Sequence, residues 1–282
     1  MATLYLISTP IGNLGDLSPR AAETLRSADR ILAEDTRRTR ILADHAEARV
    51  PLVAVHAHNE RERIDRILGW LDAGENLALV SDAGTPLVSD PGSRVVVAVA
   101  ERGHDVVPIP GPSAVLAALV ASGLPSDRFL FLGFPERKGK GRQALLDRIA
   151  SSQESVVLFE SPHRLVALLE RLAEVCGPER RVSVARELTK VYEEFTRGTL
   201  AEVAAYYRER PPKGEVTVVV APAEIPTSTP DLEAEAIRTA GELIRDGMKP
   251  SAAAKELSNR LGLARNDAYR IVHDLEGNTN DE

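Results

Sequence analysis

Three short stretches concentrate residue types that hold ligands. The longest, Ser81-Asp-Ala-Gly-Thr-Pro-Leu-Val-Ser-Asp-Pro-Gly92, follows the apolar run Leu77, Ala78, Leu79, Val80. Its small residues admit a ligand close to the backbone, Asp82 and Asp90 offer carboxylate acceptors, and Thr85 offers a hydroxyl. Asp90 also reads as a helix N-cap with Pro91 at the first helical position. Capping leaves Asp82 and Thr85 unexplained, and these two are expected to face a ligand. The other stretches are Pro10-Ile-Gly-Asn-Leu-Gly-Asp16 and Pro110-Gly-Pro-Ser-Ala114. Pro10–Asp16 lacks both the G-x-G-x-x-G spacing and a G-K-[ST] triplet, so it predicts neither a Rossmann nor a P-loop nucleotide site. Taken alone it reads equally as a tight strand-to-helix turn. Each stretch follows a strand-like run, and ligand crevices of open α/β sheets lie at the carboxyl ends of the strands.

The elements that must position these loops alternate. Strands are expected at residues 4–9, 30–34, 52–55, 77–80 and 105–109. Between them lie a helix opened by Ser18-Pro19, a short one from Asp35 to about His45, one capped by Asn59 with Ile64, Ile67, Leu68 and Leu71 on one face, and one over 95–100. Strand, loop, helix repeated in this way predicts an α/β domain over 1–118 with a mainly parallel sheet covered on both faces. Gly123-Leu124-Pro125 marks a junction. A second α/β domain follows over 119–225, with strands at 129–133, 156–159, 182–185, 195–200 and 216–220 and helices between them. Pro222 to Pro230 reads as a linker. Residues 230–276 hold three helical stretches.

Composition narrows the class. Apolar residues make 43% of the chain and charged ones 27%, with no run long enough to span a bilayer. The opening Met-Ala-Thr-Leu-Tyr-Leu-Ile-Ser lacks a basic segment before its apolar run, so it reads as a first strand and not a signal peptide. The one cysteine, Cys176, suits a reducing cytoplasm and a core position. A net charge of −7 argues against a generally sticky nucleic-acid binder, so any RNA contact is expected to be local. No Cys/His cluster has metal-ligand spacing, and no metal is expected.

The set Leu-Tyr-Leu-Ile-Ser-Thr-Pro-Ile-Gly-Asn-Leu-Gly-Asp (4–16), Ala-Glu-Asp-Thr-Arg (33–37), Ser-Asp-Ala-Gly-Thr-Pro (81–86), Pro-Gly-Pro-Ser-Ala (110–114), Phe-Glu-Ser-Pro-His-Arg (159–164) and Arg-Glu-Leu-Thr-Lys (186–190) resembles the ribosomal RNA small subunit methyltransferase I family. That family belongs to the tetrapyrrole methylase class of S-adenosylmethionine enzymes, and the match runs in order from the first strand to about Ala221. The resemblance implies two α/β domains with the methyl donor in the cleft between them, a homodimer, and a helix-turn-helix-like tail. It further implies 2'-O-methylation of a cytidine ribose in the decoding region of 16S rRNA, with S-adenosylhomocysteine as the product. Carried over by position, the donor contacts would be Pro10, Asp82, Thr85, Ser113, Ala114, Phe159, Glu160, Leu188, Gly214 and Glu215. Tetrapyrrole-modifying relatives carry Gly-Asp-Pro where this chain has Ser81-Asp82-Ala83, a departure that favours the RNA branch.

A ribose hydroxyl needs a positioned base, tight orientation or both. Candidates are Asp35, His56, Glu187 and Lys190, and the residues alone do not choose among them. Asp35 reads equally as a cap, and Glu187 with Lys190 as a surface ion pair. RNA footprints are expected at Arg37, Arg38 and Arg40, in the loop with Arg137, Lys138, Lys140 and Arg142, and at Arg164, which could equally belong to a helix start. The competing functions are a same-fold methyltransferase for a small molecule such as a tetrapyrrole, and a non-enzymatic nucleic-acid-binding regulator led by the tail.

Overall fold

The computed structural model describes residues 2–223 and 230–279. The chain divides into two compact units, residues 1–223 and 224–282.

The first half of the larger unit is built on β1 (Thr3–Ile7), β2 (Arg30–Ala33), β3 (Leu52–Ala54), β4 (Leu77–Val80) and β5 (Asp105–Ile109). They form one sheet in the order β3-β2-β4-β1-β5, parallel throughout. Its faces are covered by α1 (Pro19–Ser27) and α2 (Thr36–His45) on one side and by α3 (Glu60–Asp72) and α4 (Ser93–Glu101) on the other. Burial on both sides explains why Leu77 to Val80 is apolar without alternation. Ile7 pairs with both Val80 and Ile109, so β1, β4 and β5 end level and the three glycine-bearing loops emerge together.

Capping follows the sequence at α1, where Ser18 Oγ accepts from Ala21 N at 3.1 Å beside Pro19 at the helix start. It departs at α4. Asp90 is not its cap, because the helix begins at Ser93 with Gly92 in the cap position at φ +119°. Glu60, buried at the start of α3, instead accepts from Arg94 N (2.8 Å) and Val95 N (3.3 Å). Only glycine suits that turn, since a Cβ at position 92 would approach Leu87 Cδ2 to 2.9 Å. Asn59 likewise precedes α3 without capping it; its Oδ1 accepts from His56 N.

The second half carries β6 (Phe129–Phe131), β7 (Ser155–Glu160), β8 (Arg181–Arg186), β9 (Glu194–Thr199) and β10 (Val216–Val220) in the order β6-β7-β10-β8-β9. Only β6 and β7 are parallel; β10 runs antiparallel to both its neighbours. One face packs on α6 (Lys140–Ser151), α7 (Pro162–Cys176) and α8 (Leu200–Glu209), around Ile149, Leu168, Leu172, Val203 and Tyr207. The other face receives α5 (Ala114–Ala121), whose Val115, Ala118 and Leu119 pack with Ile11, Val157, Ala185, Leu188 and Val219. Residue 118, the expected end of the first domain, therefore lies inside a helix that docks on the second sheet. Cys176 closes α7, half-buried, and burial pushes its thiol pKa up.

The smaller unit contains α9 (Pro230–Arg245), α10 (Pro250–Leu261) and α11 (Arg265–Thr279) around Ala236, Ala240, Leu243, Ala253, Leu257, Ala268 and Val272. Pro250 opens α10, and Gly262, at φ +66°, closes it. Within the expected linker, residues 224–229 lie outside the described residues.

Candidate functional site

Three loops leave the carboxyl edge of the parallel sheet, and hydrogen bonds lock them into one wall. Thr9 and Gly84 exchange backbone bonds at 2.9 and 3.0 Å. Ser8 Oγ donates to Thr85 Oγ1 at 3.1 Å, and Thr85 Oγ1 donates to Pro112 O at 3.4 Å. Gly111 has no room for a side chain, because a Cβ there would stand 3.0 Å from Ser8 Cβ. Ser113 caps α5, its Oγ accepting from Leu116 N. The facing wall comes from the end of β7, the loop after β8 and the start of β10.

Between the walls lies a cleft of about 350 Å³ lined by Asp82, Thr85, Ser113, Ala114, Phe159, Glu160, Leu188, Gly214 and Glu215. The structure thus brings together nine of the ten expected donor contacts. Pro10 instead lines an adjoining cavity, also of about 350 Å³, with Thr9, Gly12, Leu14, Thr39, Ile41 and Lys190. The two spaces share Ile11, Arg38, Asp82, Ala83 and Glu215.

Acidic groups dominate the electrostatics. Asp82 Oδ1 accepts from Asp35 N at 3.0 Å and Oδ2 stands 3.5 Å from Arg38 Nη1. Asp90 also lines the cleft; burial, followed by the charge of Glu34, pushes its carboxyl up to about 6, with Asp82 adding to the rise. Burial raises Glu34 as well, and the Asp82 charge adds to it. Glu160 is 2% exposed; its Oε1 accepts from Ser161 N at 2.7 Å and pairs with Arg164, while its buried Oε2 has no partner among the described residues. Across the cleft mouth Lys190 Nζ donates to Glu187 Oε1 (2.8 Å) and Glu215 Oε2 (2.9 Å). Burial alone would lower the lysine pKa, but these two hydrogen bonds raise it above the ordinary value. Among the described residues, four of the five non-glycine positions with positive φ flank this space: Leu87, Ser89, Glu187 and Thr189. Such backbone strain concentrates at sites whose geometry the surrounding fold enforces.

The candidate bases separate on inspection. Asp35 lines neither cavity; its carboxylate caps α2 through Arg37 N and forks with the Arg37 guanidinium, which holds it down at about 2. His56 also lies outside both linings, half-buried, its Nδ1 unpartnered and its ring 6.0 Å from that of His58. Glu187 orients Lys190 and Glu215, whose N–H it accepts at 3.0 Å. Of the four candidates, Lys190 is the one that lines either of these two cavities. From the sequence Asp90 is an acceptor that doubles as a cap, and nothing there singles out its neighbour in charge, Glu34. Asp90 sits eight residues from Asp82 in the same loop, but its cap reading absorbed it.

The expected RNA contacts also divide. Arg37 is engaged by Asp35 and Arg38 faces Asp82, while exposed Arg40 makes no ion pair among the described residues. Arg137 and Lys138 are exposed, and Lys140 and Arg142 fall in the first turn of α6, with Arg142 Nη1 donating to Glu136 O at 3.2 Å. Cations at a helix N-terminus oppose the helix dipole, so internal stability does not account for them. Arg164 sits on Glu160.

A sulfonium methyl donor fits the cleft between the two walls. Apolar walls from Val88, Phe134, Phe159 and Leu188 can take its uncharged parts, and Asp82 and Glu160 supply negative charge toward a cation. The orphaned Glu160 Oε2 is an acceptor awaiting a donor.

Residues 3–204 match the family model for tetrapyrrole (corrin/porphyrin) methylases. The chain is 46% identical over 277 residues to a ribosomal RNA small subunit methyltransferase I of Synechocystis, covering 98% of this chain and 99% of that one. It is 41% identical to the Bacillus subtilis protein of the same name, over 97% of this chain and 94% of that one. Among solved structures, the uroporphyrin-III C-methyltransferase of Thermus thermophilus, complexed with S-adenosylhomocysteine, has a TM-score of 0.55 at 21% identity, covering 78% of this chain and 97% of that one. Diphthine synthase has a TM-score of 0.61 at 16% identity, covering 78% and 90%. At those identities the structures speak for the fold, whereas the relatives matched over nearly their whole length speak for the family. The chain belongs to the tetrapyrrole methylase family of S-adenosylmethionine-dependent methyltransferases, in the group of ribosomal RNA small subunit methyltransferase I.

Proposed function

We propose that the chain transfers a methyl group from S-adenosylmethionine to the ribose 2'-hydroxyl of a decoding-region cytidine in 16S rRNA. The observation that carries this reading is the end-to-end match, at 40% identity and above, to proteins named for small-subunit rRNA methylation. The cations at the start of α6 and exposed Arg40 on α2 support an RNA partner for an otherwise acidic chain. Asp82, Thr85, Ser113, Ala114, Glu160 and Leu188 would hold the donor, with Pro10 behind the shared wall. When bound, the donor supplies an electrophilic methyl carbon on a positively charged sulfur. The residues of the chain then orient the hydroxyl and exclude water, and proximity of this kind supplies a large part of the rate. Lys190, held protonated between two carboxylates, suits charge stabilisation and positioning better than proton abstraction.

The enzyme is further read as a cytoplasmic homodimer. Exposed Leu116 and Val120 on α5 offer apolar surface for a second copy, and Val107 on the edge strand β5 is exposed as well. The test is methyl transfer from labelled donor to purified small subunits, followed by nucleoside analysis. A 2'-O-methylcytidine product supports the reading; label on a precorrin and none on RNA overturns it in favour of small-molecule methylation.

A further inference from the structure

The cavity beside the donor cleft has a character of its own. Its α2 wall presents Arg38, Thr39, Ile41 and Leu42, its β1-loop wall Pro10, Gly12 and Leu14, and Lys190 closes the mouth. Thr39 is 3% exposed, and its Oγ1 makes no hydrogen bond. A threonine inside a helix ordinarily satisfies its hydroxyl on the carbonyl four residues back, as Thr24 does on Arg20 O at 2.8 Å. Thr39 does not, so among the described residues its buried hydroxyl is left without a partner on a residue that lines the cavity. The rim is apolar where a surface is usually polar: Ile41 is 62% exposed and Leu14 39%. Next to Lys190, Val191 (93%) and Tyr192 (72%) project from a loop strained at Glu187 and Thr189.

We propose that this second cavity seats the acceptor nucleoside. The base covers the apolar rim of Leu14 and Ile41, Thr39 hydrogen-bonds a polar group of the nucleoside, and Arg38 and Lys190 face the flanking phosphates. The ribose is thereby presented to the wall of Ile11, Asp82 and Ala83 that the cavity shares with the donor cleft. A stacked base cannot enter such a space, so the nucleotide must be unstacked to be methylated. The inference rests on the proposed RNA activity and adds the location and chemistry of its substrate subsite.

The test uses the full-length protein with Leu14→Ser, Ile41→Ser and Thr39→Val, and Val97→Ser on exposed α4 as a surface control. Donor affinity is measured by calorimetry, small-subunit affinity by filter binding, and methyl transfer at varied subunit concentration. Leu14→Ser and Ile41→Ser are expected to raise KM for the subunit about fivefold, a modest loss of apolar contact. Thr39→Val should lower kcat, and donor Kd and the control should stay at the wild-type value. Wild-type subunit binding and kinetics in all three variants would overturn the nucleoside pocket while leaving the RNA activity standing. Absence of transfer to subunits by the wild-type protein would instead overturn the RNA reading, and the pocket with it.

Discussion

Gly12, in the first loop, lies directly against Lys190, in the loop after β8: a Cβ on Gly12 would come within 2.5 Å of Lys190 Cγ and 2.9 Å of Thr189 Oγ1. This contact joins the two α/β halves at the mouth of the cleft. The lysine stem is flexible, but its ammonium is fixed by Glu187 and Glu215, so an added methyl must break that arrangement. Gly12→Ala is expected to cut methyl transfer about tenfold through misplacement of Lys190. The thermal midpoint should hold within about 2 °C, because the site is exposed. Unchanged rates in a folded variant would show that Lys190 has no positioning role.

Asp82 stands where the two cavities meet, and its carboxylate also holds the backbone of Asp35. Asp82→Asn keeps an acceptor for that bond and removes the charge; Asp82→Ala removes both. A charged hydrogen bond is worth about 1.5–3 kcal/mol, so Asp82→Asn should weaken donor binding by roughly ten- to a hundredfold in calorimetry. Asp82→Ala should do so with an added loss of stability from the unheld start of α2. Equal donor affinity in wild type and both variants would remove Asp82 from the donor site.

The Asp90 carboxyl, raised to about 6, gives a signed prediction for pH. A carboxyl whose folded pKa lies above its unfolded one contributes stability at low pH, and that contribution is lost as pH rises through 6. Asp90→Asn should therefore stabilise the protein at pH 8, by about 1 kcal/mol once partial exposure to water is allowed for. The gain should fade below pH 6 and vanish near pH 4. Thermal melts of wild type and variant across pH 4–8 check this, and a pH-independent difference would mean that Asp90 titrates normally.

Much of this architecture was legible because it rests on local chemistry. The parallel sheet announced itself through apolar strands without alternation, and Ser18, Asp35 and Ser113 cap the helices they precede. The wall of three loops was legible because each loop follows a strand end. Non-local relations were not. That Glu60, thirty-four residues away, would cap α4 and release Asp90 depends on tertiary packing. So does the placement of β10 between β7 and β8, since an isolated run of valines carries no direction. Arg37 and Asp35 looked like an RNA contact and a base, two residues apart; only the fold shows them bound to each other.

Arg164 separates a structural cation from an RNA-binding one. Its guanidinium pairs with Glu160, a carboxylate 2% exposed whose other direct contact is Ser161 N. Removing one partner of a buried pair leaves an uncompensated charge, so Arg164→Ala should cost about 3 kcal/mol of stability. The double variant Arg164→Ala with Glu160→Gln should recover much of that loss, because the buried group is then neutral. Lys140→Ala with Arg142→Ala should behave in the opposite way. Lys140 is exposed and Arg142 half-buried, with its Nη1 on the carbonyl of exposed Glu136, so the melting temperature should hold while subunit affinity falls and its salt dependence becomes shallower by about two released counterions. A stable Arg164→Ala with weakened subunit binding would reverse the assignment and place Arg164 on the RNA.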